Sequence, residues 1–119
     1  MNYIIINSRD RLLRFEINKI VYFEADGNYT KVVMANKLKA LVALSLGQVE
    51  NALAVQMKEQ ATIFMRVGKR FIINREYIYE VNIAKQCVVL SDFSLFAYQL
   101  PISKAAARSV KEIMTYSKE

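Results

Sequence analysis

The chain has no histidine and no tryptophan, and only one cysteine, one proline and three glycines in 119 residues. Without histidine, neither a Ser–His–Asp nor a Cys–His relay can be built. With a single cysteine as well, zinc sites of the usual Cys/His kind are excluded. Three glycines are too few for a glycine-rich nucleotide cradle, and no G-x-x-x-x-G-K phosphate loop is present. The longest apolar runs are a few residues, far short of the ~20 that span a bilayer, so no membrane insertion is expected. No charged-then-apolar signal segment opens the chain. Carboxylate pairs remain possible, such as Glu24 with Asp26, but two residues apart on a strand entering a turn they read as surface or turn groups. Neither catalytic residues nor a metal or cofactor is expected, and the chain reads as a non-enzyme.

What is present is apolar residue content of 54% and a net charge of +6. The first suffices for a core, and the length suits a single domain over residues 1–119. The second favours an anionic partner, nucleic acid foremost. Lone Cys87 sits in an apolar run, Cys87-Val88-Val89-Leu90, and reads as a reduced core residue of a cytoplasmic protein.

Short strands follow one another along the chain. Tyr3–Ile6 and Leu12–Phe15 flank a turn at Ser8–Arg11. Ile20–Glu24 and Tyr29–Met34 flank Asp26-Gly27-Asn28, and Leu38–Ala43 follows the turn Asn36-Lys37. Ser45 opens a helix, with Gln48 three residues on as a capping box. Its apolar face is Leu46, Val49, Leu53 and Met57, with Ala52 beside it, and it ends near residue 58. Strands resume at Ile63–Arg66 and Arg70–Ile73. Tyr77–Ile83 alternates, with Tyr77, Tyr79, Val81 and Ile83 on one side. Cys87–Leu90 and Leu95–Leu100 flank a turn at Ser91-Asp92-Phe93. Pro101 marks the junction to a second helix capped by Ser103, whose face is Ala106, Val110, Ile113 and Met114. The order indicates a mainly β protein of antiparallel sheets with one packed helix and a C-terminal helix.

The most informative stretch is Phe64–Arg75. Arg66, Lys69, Arg70 and Arg75 surround Gly68 with no acid among them, and the apolar Phe71-Ile72-Ile73 anchors the turn. Cations held on a tight turn suit phosphates and base edges, because less side-chain entropy is lost on contact. Two further segments can join one basic surface. Gly27-Asn28-Tyr29-Thr30-Lys31 offers polar and charged groups. Ser103-Lys104 begins a helix whose free N–H groups attract phosphate. Structural roles stand beside these. Asn28 can fill a turn position of positive φ, Tyr29 can pack on its strand, and Arg66 can pair with Glu24 or Glu80. Lys104 can simply solvate its helix.

Four segments, IVYFEADGNYTKV, SLGQVENAL, FMRVGKRFIINREYI and LPISKAA, resemble in order and spacing the LytTR-type DNA-binding domains found as output modules of bacterial response regulators. The resemblance runs from about Leu12 to Ile113. It implies an elongated set of antiparallel β-sheets with a helix packed alongside. It also implies a sequence-specific transcriptional regulator whose loops and strand ends enter successive major grooves of double-stranded DNA. Promoter direct repeats are the implied target, with two copies bound as a homodimer on DNA. The family's contact positions fall on Asn28 to Lys31, on Arg66 to Arg70, and on Ser103 and Lys104. Within these segments Lys69, Arg70 and Lys104 are assigned to groove or phosphate contact, and Asn28 and Thr30 to polar readout. Arg66, Lys31 and Arg75 are assigned to phosphate positioning. Gly68 stands where the family usually has His, and Arg70 where it often has Ser. Lys104 replaces the usual Arg, and a lysine cannot make the same two-pronged contact with guanine. The alternative is a protein-interaction module that uses its basic surface, or the Val110, Ile113 and Met114 side of its last helix, to meet an acidic regulatory or membrane-sensor partner. The chain either stands alone or is a piece of a longer protein.

Overall fold

A computed structural model describes residues 2–116. Met1 and residues 117–119, which the single-domain expectation includes, lie outside the described residues. The chain divides between Arg75 and Glu76 into two compact units.

The first unit opens with an antiparallel hairpin, β1 (Tyr3–Asn7) and β2 (Leu12–Glu16). Its larger sheet contains β3 (Ile20–Asp26), β4 (Tyr29–Met34), β5 (Lys39–Val42), β6 (Phe64–Val67) and β7 (Phe71–Asn74). They lie in the order β5-β4-β3-β7-β6, every neighbour antiparallel. β3 is central because its first four residues, Ile20 to Phe23, are all buried, the unbroken apolar run of a strand covered on both faces. Helix α1 (Leu46–Met57) covers one face. Its Leu46, Val49, Leu53 and Met57 join Phe23, Val32, Val42 and Ile72 in the core. This is the face expected from the 3.6-residue period.

Both ends of α1 are set locally. Ser45 Oγ accepts from the Gln48 N–H at 3.2 Å, and Gln48 Oε1 accepts from the Ser45 N–H at 2.9 Å. The capping box is therefore complete. At the other end Lys58 takes φ 52, ψ −119 while its N–H bonds to the Ala54 carbonyl. That backbone is one an L side chain adopts only under strain. The Gln56 amide then ties α1 to β1, accepting from the Ile5 N–H at 2.9 Å and donating to its carbonyl at 2.8 Å. Asn74, only 1% exposed, donates from Nδ2 to the Ile20 carbonyl at 2.9 Å.

The second unit is a three-stranded antiparallel sheet of β8 (Ile78–Asn82), β9 (Cys87–Ser91) and β10 (Ala97–Pro101), ordered β10-β9-β8. Helix α2 (Lys104–Tyr116) lies against β8. Cys87 is a free, buried thiol. Two expectations change here. A bulge between Ile78 and Glu80 breaks the alternation of β8, leaving Tyr79 exposed. On α2 the buried residues are Ala107 and Val110, while Ile113 faces solvent. Val110 is buried as expected, but Ala107 and not Ala106 is fully buried beside it, since the three consecutive alanines Ala105 to Ala107 carry no signal to choose among them.

Candidate nucleic-acid interface

Two hairpin ends share one end of the five-stranded sheet. β3 runs antiparallel to both neighbours, so its last residue, Asp26, lies beside Tyr29 at the start of β4, and Glu24 lies beside Phe71 at the start of β7. The β3–β4 turn, Gly27-Asn28, and the β6–β7 loop, Gly68-Lys69-Arg70, are therefore neighbours. The Ala25 N–H confirms this, donating to the Arg70 carbonyl at 2.8 Å. Both glycines take φ +62, and no atom lies within 4 Å of the Cβ that either lacks. They are needed for backbone shape and not for room. Gly27, and not Asn28, holds the left-handed position, so Asn28 does not serve that turn role. Asn28 and Lys69 are exposed at these tips.

Ion pairs fix most of the neighbouring cations. Lys31 Nζ is 3.1 Å from Glu24 Oε1, and Arg70 Nη2 is 2.7 Å from Glu24 Oε2. Burial pushes the Glu24 carboxyl up, but its bonds to Arg70 and Lys31 outweigh that and hold it below the usual carboxylate value. The Arg70 guanidinium also lies 4.9 Å from the centre of the Phe71 ring, a cation–π distance. Arg66 pairs with Glu50 on α1 at 2.8 Å, not with Glu24 or Glu80. Its Nε donates to the Gly68 carbonyl at 3.1 Å, and its Nη2 lies 3.5 Å from the Lys69 carbonyl. Arg66 thus clamps the loop that displays Lys69. Lys69 itself is in no ion pair among the described residues.

Cross-strand partners share a face of a sheet. Glu24 stands opposite Lys31 and Phe71, whereas Arg66 stands opposite Ile72. Arg66 is therefore on the α1 face, and the Glu24–Lys31–Arg70 cluster is on the other. Thr30 is not on the surface at all. It is 0% exposed, and its hydroxyl donates to the Leu44 carbonyl at 2.8 Å. Arg75 follows the far end of β7, four strand residues and roughly 13 Å from the loop. Its Nη1 lies 3.4 Å from the Thr62 carbonyl. Tyr29 is half-exposed and lines a cleft of about 630 Å³ with Arg11, Leu13 and Leu41 to Leu44.

Ser103 and Lys104 belong to the second unit. Ser103 Oγ accepts from the Ala106 N–H at 3.0 Å and caps α2 as expected. Lys104 is the first residue of α2 and is exposed. Among the described residues no group of histidine, cysteine, aspartate or glutamate could hold a metal ion, and no helix is long and apolar enough to cross a membrane.

Sequence reading missed two residues of this site. Glu24 as the partner of Lys31 was within reach, because a two-residue turn at Gly27-Asn28 places 24 opposite 31. Glu50 was not, because nothing local links positions sixteen apart on a helix and a strand.

The fold is one of antiparallel sheets, with a cationic hairpin tip at Lys69 and Arg70 beside a polar one at Asn28. A family model described as the LytTr DNA-binding domain matches residues 10–115, and the chain belongs to that family. It is a DNA-binding domain by that membership. Two curated relatives are the heme-containing CO-sensing transcriptional regulators RcoM 1 and RcoM 2 of Paraburkholderia xenovorans (strain LB400). They are 26% and 24% identical over 106 residues, 89% of this chain. The chain spans 37% of the length of these relatives. A solved LytTr DNA-binding domain from Bacillus cereus superposes with a TM-score of 0.67 over 98% of this chain and 99% of that one, at 19% identity, and so shares its fold.

Proposed function

We propose that the chain is a sequence-specific, double-stranded DNA-binding transcriptional regulator of the bacterial cytoplasm, acting as a response-regulator output domain. It reads promoter direct repeats, two copies together, with loops and strand ends in successive major grooves. The observation that carries this is the pair of hairpin tips at one sheet end. They display Asn28 and Lys69, which is in no ion pair among the described residues, in a family member with a net charge of +6. Asn28 and Lys69 contact base edges, and Tyr29 flanks them. Arg70 and Lys31 contact phosphates by exchanging Glu24 for the DNA backbone. Lys104, at the N-terminal end of α2, contacts phosphate where helix N–H groups also attract it. Gly68, Arg66 and Ser103 act by holding the turn, the loop and the helix start. Thr30 and Arg75 are assigned to the frame.

Fluorescence titration of duplex obtained by selection from random sequences tests this. Each phosphate neutralised makes the salt dependence steeper by about 0.9 in log–log slope, so several contacts give a steep fall. Lys69→Ala should cost on the order of 1–3 kcal/mol and flatten preference at one base position. A slope near zero, or no enriched sequence, would overturn the assignment. A protein docking on α2 would meet Ile113, which is exposed, and not Val110, which is 2% exposed.

A further inference from the structure

Glu24 is an acid placed where an acid opposes the function. It sits on the sheet end that carries both hairpin tips, and DNA would bring further negative charge to that end. Its side chain is 17% exposed and makes two charged contacts, to Lys31 at 3.1 Å and to Arg70 at 2.7 Å. A carboxylate shared by two cations leaves the cluster with one net positive charge in place of two. The cations are partly exposed, Arg70 by 58% and Lys31 by 35%, so an incoming phosphate can reach them. The phosphate must then compete with Glu24 for their donors. A duplex seated in register supplies several contacts at once and can meet that cost. A duplex seated anywhere else offers only loose phosphates and gains little by displacing a well-placed carboxylate.

We propose that Glu24 is a specificity-determining residue, which neutralises Arg70 and Lys31 in the free protein and so suppresses binding to DNA of arbitrary sequence. It rests on the DNA-binding assignment above. Glu24 touches neither base nor phosphate. It acts by deciding when its two partners are available. Lys69, which has no such partner among the described residues, keeps its charge for the first encounter.

The test compares wild type, Glu24→Gln and Asp26→Asn on a selected duplex and on a random-sequence duplex, each over a range of salt. Asp26 lies two residues along the same strand, exposed and in no ion pair among the described residues. Its substitution therefore makes the same change in net charge without releasing a cation. Glu24→Gln should bind the random duplex more tightly, with a log–log salt slope steeper by about 0.9 to 1.8 for one or two released contacts. The ratio of selected to random affinity should fall. Asp26→Asn should change the slope far less. If Glu24→Gln leaves the random-duplex slope unchanged, or matches Asp26→Asn, the proposal fails while the DNA-binding assignment stands. If Glu24→Gln weakens both duplexes alike, Glu24 only positions the cations, and the proposal fails again. If wild type binds neither duplex in a salt-dependent way, both fall together. A readout on the unaltered protein guards against misfolding of the variant. The Arg70 side-chain NMR signal should shift with the selected duplex and stay in place with the random one. An equal shift with both overturns the proposal.

Discussion

Two backbone positions show how a single residue's stereochemistry decides stability. Gly68 and Lys58 both lie at positive φ, +62 and 52. At Gly68 the residue suits the conformation. A Cβ there costs about 1–2 kcal/mol of backbone strain, partly offset by about 0.4–1 kcal/mol from a stiffer unfolded chain. Gly68→Ala should therefore destabilise by roughly 1 kcal/mol in urea unfolding, with open space around the new methyl group, and should disturb the Lys69 tip. At Lys58 the residue opposes the conformation, and its side chain is exposed with little to lose. Lys58→Gly should stabilise by about 1 kcal/mol, because relief of strain exceeds the added unfolded-state entropy. Equal midpoints for Lys58→Gly and wild type would show that the strain is absorbed elsewhere. The glycine of the β6–β7 loop was legible in the sequence. The lysine was not, since nothing about a lysine signals positive φ.

At the scale of elements, legibility tracked how local the information was. The start of α1 is written in four residues, Ser45 to Gln48, and its buried face in a regular period. Both were read as they stand. Ser45→Ala removes one half of the capping box and should cost about 1 kcal/mol, a drop in Tm of roughly 4–8 °C for a unit of this size. An unchanged Tm would mean that packing of α1 alone fixes its first turn. The β3–β4 hairpin was equally legible, because its turn chemistry and flanking apolar residues agree. The bulge in β8 and the choice of Ala107 over Ile113 on the buried side of α2 were not, since each is decided by what the element packs against. The candidate site divides along the same line. Its tips, Asn28 and Lys69, carry turn and charge signals. The inward Thr30 was misread as a surface group, because a threonine in a strand serves either face and only the bond to Leu44 settles which. The Arg66–Glu50 pair needed the helix docked on the sheet before it could be seen.

At the scale of the whole molecule, the absence of histidine fixes the response to pH. No side chain of the kind that changes charge between about pH 5 and 8 is present, so stability should be flat across that range. Among the described residues, Glu24 in the first unit and Asp92 in the second have carboxyls held below their ordinary values. Glu24 is lowered against the effect of its own burial by Arg70 and Lys31. Asp92 is lowered, again against desolvation, by the N–H groups of Ser94, Phe96 and Leu95 that converge on it. A carboxyl whose pKa is depressed by folding binds fewer protons in the native than in the unfolded chain. Its contribution is therefore complete above the unfolded value, about 4 for these groups, and is lost as pH falls through the lower, folded value. Acid also adds positive charge to a chain already at +6, so self-repulsion acts in the same direction. Urea midpoints for wild type should hold level from pH 8 to about pH 5 and fall steeply below about pH 4.5. Glu24→Gln should start lower at neutral pH, having lost its charged partners, and fall less steeply in acid, so that the two curves converge. Parallel curves would mean that Glu24 titrates alike in the folded and unfolded chains, and that its bonds to Arg70 and Lys31 contribute nothing to the fold.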